Sequence, residues 1–241
     1  LRRSGELAIA EKKQLQYTVY LYSVCEVVMA HPLQELVHKG WVWQGREAAE
    51  QLAPEQLASS GWAELDRRLG GGWLRGAVHE LQVQRHFQGE LALLLPVLLA
   101  QEKPCLWLNP PCQPYWPGLC YQQLQQPPLW LQESDQKQAM WAFEQALQSE
   151  AIGVVVAWFD NIDAGAVRRL QQSAAKHQQL AFVITPWQQT TEARAYVNRL
   201  QLSWAAEQLQ VAVLKRRSGW PLPAFPCNVE RHLPERRRLS A

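Results

Sequence analysis

The chain has five cysteines, Cys25, Cys105, Cys112, Cys120 and Cys227, but no C-x-x-C pair and no histidine at zinc-finger spacing. That excludes the common zinc and dithiol classes and points to a reduced, cytosolic chain without a bound metal. Long apolar runs are lacking too. The best candidate, Leu91 to Ala100, is interrupted by Pro96 and bounded by Glu90 and Gln101, so no membrane-spanning segment is expected. Nor does one sign of charge dominate. A formal net charge of +2 names no partner, although the basic residues gather late, at Lys215, Arg216, Arg217, Arg231 and Arg236 to Arg238. At 241 residues the chain can bury a full core, and one α/β domain with ragged ends is expected.

A further absence is local. Residues Ser60 to Glu80 read as an apolar helix centred on Leu65-Asp66, a stop at Gly70-Gly71-Gly72, and a strand from Ala77 to Val83. In RecA-type ATPases, which this run resembles, such a strand delivers G-x-x-x-x-G-K-[ST] to the phosphates of a nucleotide. Here Val83 is followed by Gln84-Arg85-His86-Phe87-Gln88-Gly89-Glu90, so Gly89 or Glu90 falls where the lysine belongs. A carboxylate there repels a triphosphate. Val83, Gln88, Gly89 and Glu90 therefore mark a degenerate phosphate loop with no cofactor. Asp160, beyond the apolar strand Ile152 to Ala157, is expected to cap the helix starting near Asp163 and not to hold a metal. Glu90 is expected as a first-turn acid favoured by the helix dipole, and His79 as a structural histidine.

The remaining chain alternates strands and helices. Glu90 to Glu102 reads as a helix kinked at Pro96, Cys105 to Leu108 as a strand, Pro114 to Leu124 as a helix and Leu129 to Gln132 as a strand. Ser134 to Ser149 follows as a helix capped by Ser134, with Ala139, Phe143, Ala146 and Leu147 inward. Ile152 to Ala157, Ala164 to His177 and Leu180 to Ile184 complete a strand, helix, strand series. This alternation predicts a mostly parallel sheet flanked by helices. Arg199 to Trp204 and Leu209 to Lys215 alternate across a short link and predict an antiparallel hairpin at the sheet edge. The core domain is thus expected over residues 59–217, with a basic, proline-punctuated, disordered tail over 218–241.

At the other end, Met29 is the first methionine. It opens a short helix (Pro32 to Lys39) and a linker with Trp41 and Trp43, two residues apart and so on one face in extended chain, over residues 29–58. Residues 1–28 are expected to be a translated upstream region or a leader. The codons allowed for Tyr17 to Ser23 can spell CTGTATATTTATACAG, which resembles the operator of the LexA repressor; a short aromatic strand is the plain alternative.

Taken in order, Gly40 to Arg46, Leu65-Asp66 to Glu80, Leu106 to Pro111, Val154 to Phe159, Phe182 to Pro186 and Val213 to Gly219 resemble the ImuA family. These bacterial accessory proteins of damage-induced mutagenic DNA synthesis are similar to RecA in fold and related to the division inhibitor SulA. The resemblance implies a RecA-like core without catalysis. It also implies an adaptor contacting an ImuB-type, Y-family polymerase homologue, RecA, and through them the mutagenic polymerase complex. Lys215, Arg216, Arg217, Trp220, Trp41 and Trp43 are the candidate contacts. The tail arginines suit weak contact with DNA phosphates, and Trp220 or Phe225 suits stacking on bases. From Leu91 to Pro186 the chain also resembles SulA, which implies FtsZ as the alternative partner. A RecA-type ATPase with an atypical loop is the third reading.

Overall fold

The computed structural model describes residues 53–87, 89–188, 193–217 and 219–229. Expectations for Leu1 to Val28, for the Met29 helix, for Trp41, Trp43 and Gln88, and for Arg231 and Arg236 to Arg238 lie outside the described residues.

The central strand is β3 (Ala77–Val83), all seven of whose residues are buried. A strand buried on both faces needs neighbours on both edges and layers above and below. It pairs in parallel with β7 (Leu180–Pro186) on one side and with β8 (Arg199–Ala205) on the other. Beyond β7 lie β6 (Val154–Trp158), β4 (Leu106–Leu108) and β5 (Leu129–Leu131), each parallel to its neighbour. Beyond β8 lie β9 (Gln208–Lys215) and then β10 (Leu222–Cys227), both antiparallel to their neighbours. The eight-stranded order is β10-β9-β8-β3-β7-β6-β4-β5. A separate two-stranded ribbon joins β1 (Leu57–Ala58) to β2 (Trp73–Leu74).

Alternation along the strands splits the core in two. One face carries Leu81, Val83, Val156, Phe182 and Ile184. It packs on Leu65 and Leu69 of α1 (Ala63–Leu69) and on Leu93, Leu94, Val97 and Leu98 of α2 (Glu90–Leu99). The short α3 (Trp116–Tyr121) adds Trp116 and Leu119 to the same face. The opposite face carries Val78, Val155, Ala157, Ala181 and Val183 under α4 (Gln136–Gln148) and α5 (Ala164–His177). The protein is thus a mixed α/β fold with a mostly parallel sheet between helical layers and an antiparallel hairpin, as the alternation predicts. Among the described residues no helix is long and apolar enough to cross a membrane.

Local chemistry explains the element ends. Gly70, at φ 81°, terminates α1 in the left-handed conformation, and the Gly71 N–H returns to the Asp66 carbonyl at 2.7 Å. The Asp66 carboxylate accepts from the Ser60 N–H at 2.8 Å and the Ser59 hydroxyl at 2.7 Å, so the Leu-Asp pair serves two roles. Leu65 enters the core and Asp66 ties down the chain arriving before it. Pro96 lies inside α2 and supplies no N–H to the carbonyl four residues earlier. This helix stops at Leu99, three residues short of the expected end.

Four expectations need correction. The cap of α4 is Asp135, whose Oδ1 accepts from Gln138 N at 2.9 Å, and not Ser134. Asp163 caps α5 in the same way, through Ala166 N at 2.9 Å, while Asp160 stands outside, exposed. In both cases the carboxylate three residues ahead of the receiving N–H has the cap geometry and its more distant neighbour does not. The β8–β9 hairpin is not the sheet edge, and the tail is not without structure from residue 218. Leu222 to Cys227 pairs with β9 and buries Phe225 and Cys227 against the inward-facing Leu209, Val211 and Val213. Pro223 and Pro226 are tolerated there because the outer edge of β10 needs no donors.

Inside the first core face, His79 is fully buried between Trp73 and Phe182, with ring centroids 5.0 and 5.6 Å away. Its Nε2 lies 3.1 Å from the Leu74 carbonyl, which fixes the tautomer with the proton on Nε2. Burial lowers its pKa to about 4, against a smaller opposing effect of that carbonyl. A histidine whose folded pKa is depressed stabilises fully above the unfolded pKa near 6.5, and the gain is lost as pH falls towards 4. Wild-type protein should therefore lose about 1.5 kcal/mol more stability between pH 6.5 and 5 than His79→Leu, measured by urea unfolding at both pH values.

The β8–β9 turn offers a second test. Ala206 and Glu207 both have positive φ, 51° and 61°, the backbone of a two-residue hairpin turn that favours Asn-Gly. Replacing them by that pair relieves strain of about 1 kcal/mol or more. Ala206→Asn with Glu207→Gly should raise the urea midpoint without changing the slope of the transition.

Candidate functional site at the carboxyl ends of the strands

In an open parallel sheet the strand ends and the loops leaving them form the natural crevice for a ligand. The loop after β3, the ends of β4 and β5, and the end of β6 enclose a cleft of about 430 Å³. His86 comes from the first loop. Asn109 and Pro111 follow β4, Gln132, Glu133 and Ser134 follow β5, and Trp158, Phe159, Asp160 and Asn161 close the end of β6. The lining contains two carboxylates and one imidazole, with no lysine or arginine among the described residues.

Several bonds hold this rim. Asn109, at φ 53°, donates its N–H to the Leu131 carbonyl at 2.8 Å, and its Oδ1 accepts from Glu133 N at 2.7 Å. Asparagine is among the side chains that best tolerate this left-handed backbone. Glu133 Oε1 accepts from Asp135 N at 2.8 Å, and Gln136 Nε2 donates to the Asn161 carbonyl at 2.9 Å. Behind the cleft, Arg194 Nη2 donates to Asn161 Oδ1 at 2.8 Å.

Beside the cleft, the turn from β3 into α2 is held closed by its own acid. Glu90 is buried, and its Oε1 accepts the Phe87 N–H at 2.6 Å. Gly89, at φ 99°, immediately precedes the helix, and a side chain there would approach Leu209 Cδ1 to 3.1 Å. The negative charge sits in the first turn of α2, where the helix dipole favours it. Val83 is buried at the end of β3, 1 % exposed.

The late basic cluster is built into the fold. Lys215 Nζ donates to the Arg194 carbonyl at 2.9 Å, and burial first, then the Arg199 charge, depresses its pKa. Arg216 bridges two segments, with Nη1 donating to the Arg68 carbonyl at 2.7 Å and Nε to the Trp220 carbonyl at 3.0 Å. Arg217 N donates to Asn198 Oδ1 at 3.3 Å. Among the described residues, the most open of the predicted contacts is Trp220, 86 % exposed. Lys215 and Arg216 thus brace the hairpin, while Trp220 projects beside them.

Sequence reading missed a buried polar cluster on the face of β3 opposite α2. Glu80, fully buried, pairs with Arg199 Nε at 2.5 Å and accepts from Gln82 Nε2 at 3.1 Å and the Thr185 hydroxyl at 3.3 Å. Tyr196 is buried beside it, and burial, reinforced by the Glu80 charge, pushes its phenol up despite Arg194 and Arg199. The available signal was a glutamate in the middle of a strand otherwise read as core, facing an arginine at the start of another.

Chemically, the cleft combines carboxylates and amides, while Trp158 and Phe159 are almost wholly buried, a set that suits a cationic or neutral hydrogen-bonding group better than a polyphosphate. No group of histidine, cysteine and acidic residues able to hold a metal occurs among the described residues. No protein-family model matches the chain, and no curated protein matches it.

Removing the Glu90 carboxylate should loosen the turn. Glu90→Gln keeps an acceptor but loses the favourable charge, at a cost of up to about 1 kcal/mol. Glu90→Ala leaves the Phe87 N–H without that acceptor and should cost about 2 kcal/mol. Urea unfolding gives both values, and faster exchange of the Phe87 amide in Glu90→Ala alone would locate the effect.

Proposed function

We propose that the chain is a non-catalytic adaptor of damage-induced translesion DNA synthesis, built on a RecA-like core whose phosphate loop has become a closed structural turn. The observation that carries this reading is the Glu90 bond to the Phe87 N–H. A phosphate loop works by aiming backbone N–H groups, a lysine and a hydroxyl at a polyphosphate. In this chain β3 ends at Val83 and α2 begins at Glu90, the strand-then-helix order that such a loop uses. An internal carboxylate takes up a turn N–H that a phosphate oxygen would otherwise accept, and its charge opposes the nucleotide. The neighbouring cleft adds Glu133 and Asp160.

What such a core retains is surface. The resemblance to the ImuA family makes an ImuB-type polymerase homologue the first partner and RecA the second. The ordered hairpin with Arg217 and exposed Trp220 is the contact region the reading favours. The SulA-like reading, with FtsZ as partner, draws on the middle of the chain and not on this hairpin.

Two measurements test the reading. Mg-ATP at millimolar concentration should leave the melting temperature unchanged, whereas saturable stabilisation would restore the ATPase reading. Full-length protein recovered from DNA-damaged cells of the source organism should retain the polymerase homologue or RecA, and Trp220→Ala should weaken that recovery without changing the melting temperature. Retention of FtsZ instead, unaffected by Trp220→Ala, would establish the division-inhibitor reading in its place.

A further inference from the structure

Strand β5 departs from the rest of the parallel half in its exposure. Leu129 and Leu131 share the face of Leu106 and Leu108 on β4, and Trp130 shares the face of Trp107, yet all three side chains of β5 are exposed. An edge strand in a globular protein is ordinarily guarded by charge, by proline or by a bulge. Residues 122–132 contain no charged side chain, and the prolines at 127 and 128 stand before the strand and not within it. Nothing in β5 itself turns another strand away.

The backbone decides what the edge can accept. Leu129 donates its N–H to the Cys105 carbonyl at 2.9 Å, the Leu131 carbonyl accepts from Asn109 N at 2.8 Å, and the Glu133 N–H goes to Asn109 Oδ1 at 2.7 Å. Successive residues of a strand turn these groups to opposite edges, and the outer row is the one left unpaired. The N–H and C=O of Trp130 therefore point away from β4. Beside them lie the C=O of Pro128, which has no N–H, and the N–H and C=O of Gln132.

About a two-fold axis this row is complementary to itself. A two-fold contact between strands is antiparallel, and with the axis at Trp130 its N–H and C=O meet the C=O and N–H of Trp130 in the second copy. The Gln132 N–H then faces the Pro128 carbonyl of the second copy. The donor missing at Pro128 falls at the rim, where water reaches the Gln132 carbonyl. Side chains match in the same register: Leu129 stands opposite Leu131 on one face, in the closer type of pair, and the two indoles stand opposite each other on the other face. An axis at Leu131 would set Glu133 against Leu129. An axis at Leu129 would set Trp130 against Pro128, which has no N–H to give.

We propose that β5 is a homodimer edge, at which two copies of this chain pair antiparallel through Leu129 to Leu131 with Trp130 on the two-fold axis. A strand of three residues makes a small contact, below the roughly 1,200 Å² of standard interfaces, so the pair forms in the micromolar range. The contact is independent of the adaptor reading, because it rests on β5 and not on the turn at Glu90 or the hairpin at Trp220.

Sedimentation equilibrium of the full-length protein from about 1 to 100 µM tests it. The average mass should rise from that of one chain towards that of two and go no higher. Trp130→Lys places like charges opposite each other, and Trp130→Pro removes an N–H that β4 does not use. Each should raise the dissociation constant about tenfold or more while the melting temperature stays within a degree or two. A wild-type chain that stays monomeric at ~100 µM, or a dimer indifferent to both changes, would overturn the pairing. Oxidation followed by peptide mass spectrometry reads the register. Leu129→Cys mixed with Leu131→Cys should give the disulfide between positions 129 and 131, and Leu131→Cys alone should give far less of its own homodisulfide. The opposite order of yields would refute the axis at Trp130. A monomeric wild type whose recovery of the polymerase homologue or RecA is weakened by Trp130→Lys would assign the edge to that partner, and the homodimer would be wrong. Failure of the adaptor reading would show in partner recovery and leave the dimer mass unchanged.

Discussion

The ion pair between Glu80 and Arg199 joins the two parts of the sheet that follow different rules. On one side of β3 every neighbour is parallel and reached through a helix; on the other, β8 leads into a hairpin and β10. Arg199 opens β8 directly opposite Glu80, so one charge pair sets the register between the parallel half and the antiparallel half. Both groups are almost entirely withdrawn from water, where a lone charge costs several kcal/mol. Such a pair contributes little net stability when intact and a large penalty when split. Its effect is discrimination: slipping β8 by one residue would turn Arg199 to the other face and leave Glu80 alone in the core.

The order of elements was legible in the sequence because apolar periodicity reports burial directly. Ala77 to Val83 and Ala164 to His177 are found at the expected bounds, and the inward face of α4 follows its spacing. Caps were less legible. Asp135 stands beside Ser134, and Asp163 stands three residues beyond Asp160, and only backbone geometry decides which oxygen meets the free N–H. Residues 222–227 were unreadable as a strand for a physical reason as well, since Pro223 and Pro226 argue against a central strand and are permitted only at an outer edge.

The cleft was the least legible feature. Asn109, Glu133 and Asp160 lie far apart in sequence and share only their position after strand ends. The missing lysine was evident from residues 84–91, but the closing role of Glu90 was not, because a first-turn acid looks the same whether it faces solvent or turns back onto Phe87. Basic residues likewise looked free in the sequence. Lys215 and Arg216 spend their hydrogen bonds on carbonyls of their own chain, which explains why charge clustering overstated their availability.

The two ends of the sheet are unlike. At β10 a pair of prolines interrupts the outward row of N–H groups. At β5, Leu129, Trp130 and Leu131 are all exposed, and among the described residues no strand lies beyond them. A strand from any source can extend this sheet at β5 but meets a broken row of donors at β10. The molecule therefore has a direction: it can be lengthened like a ladder from one rail only, and two copies joined edge to edge through their β5 strands would leave no β5 edge for a third.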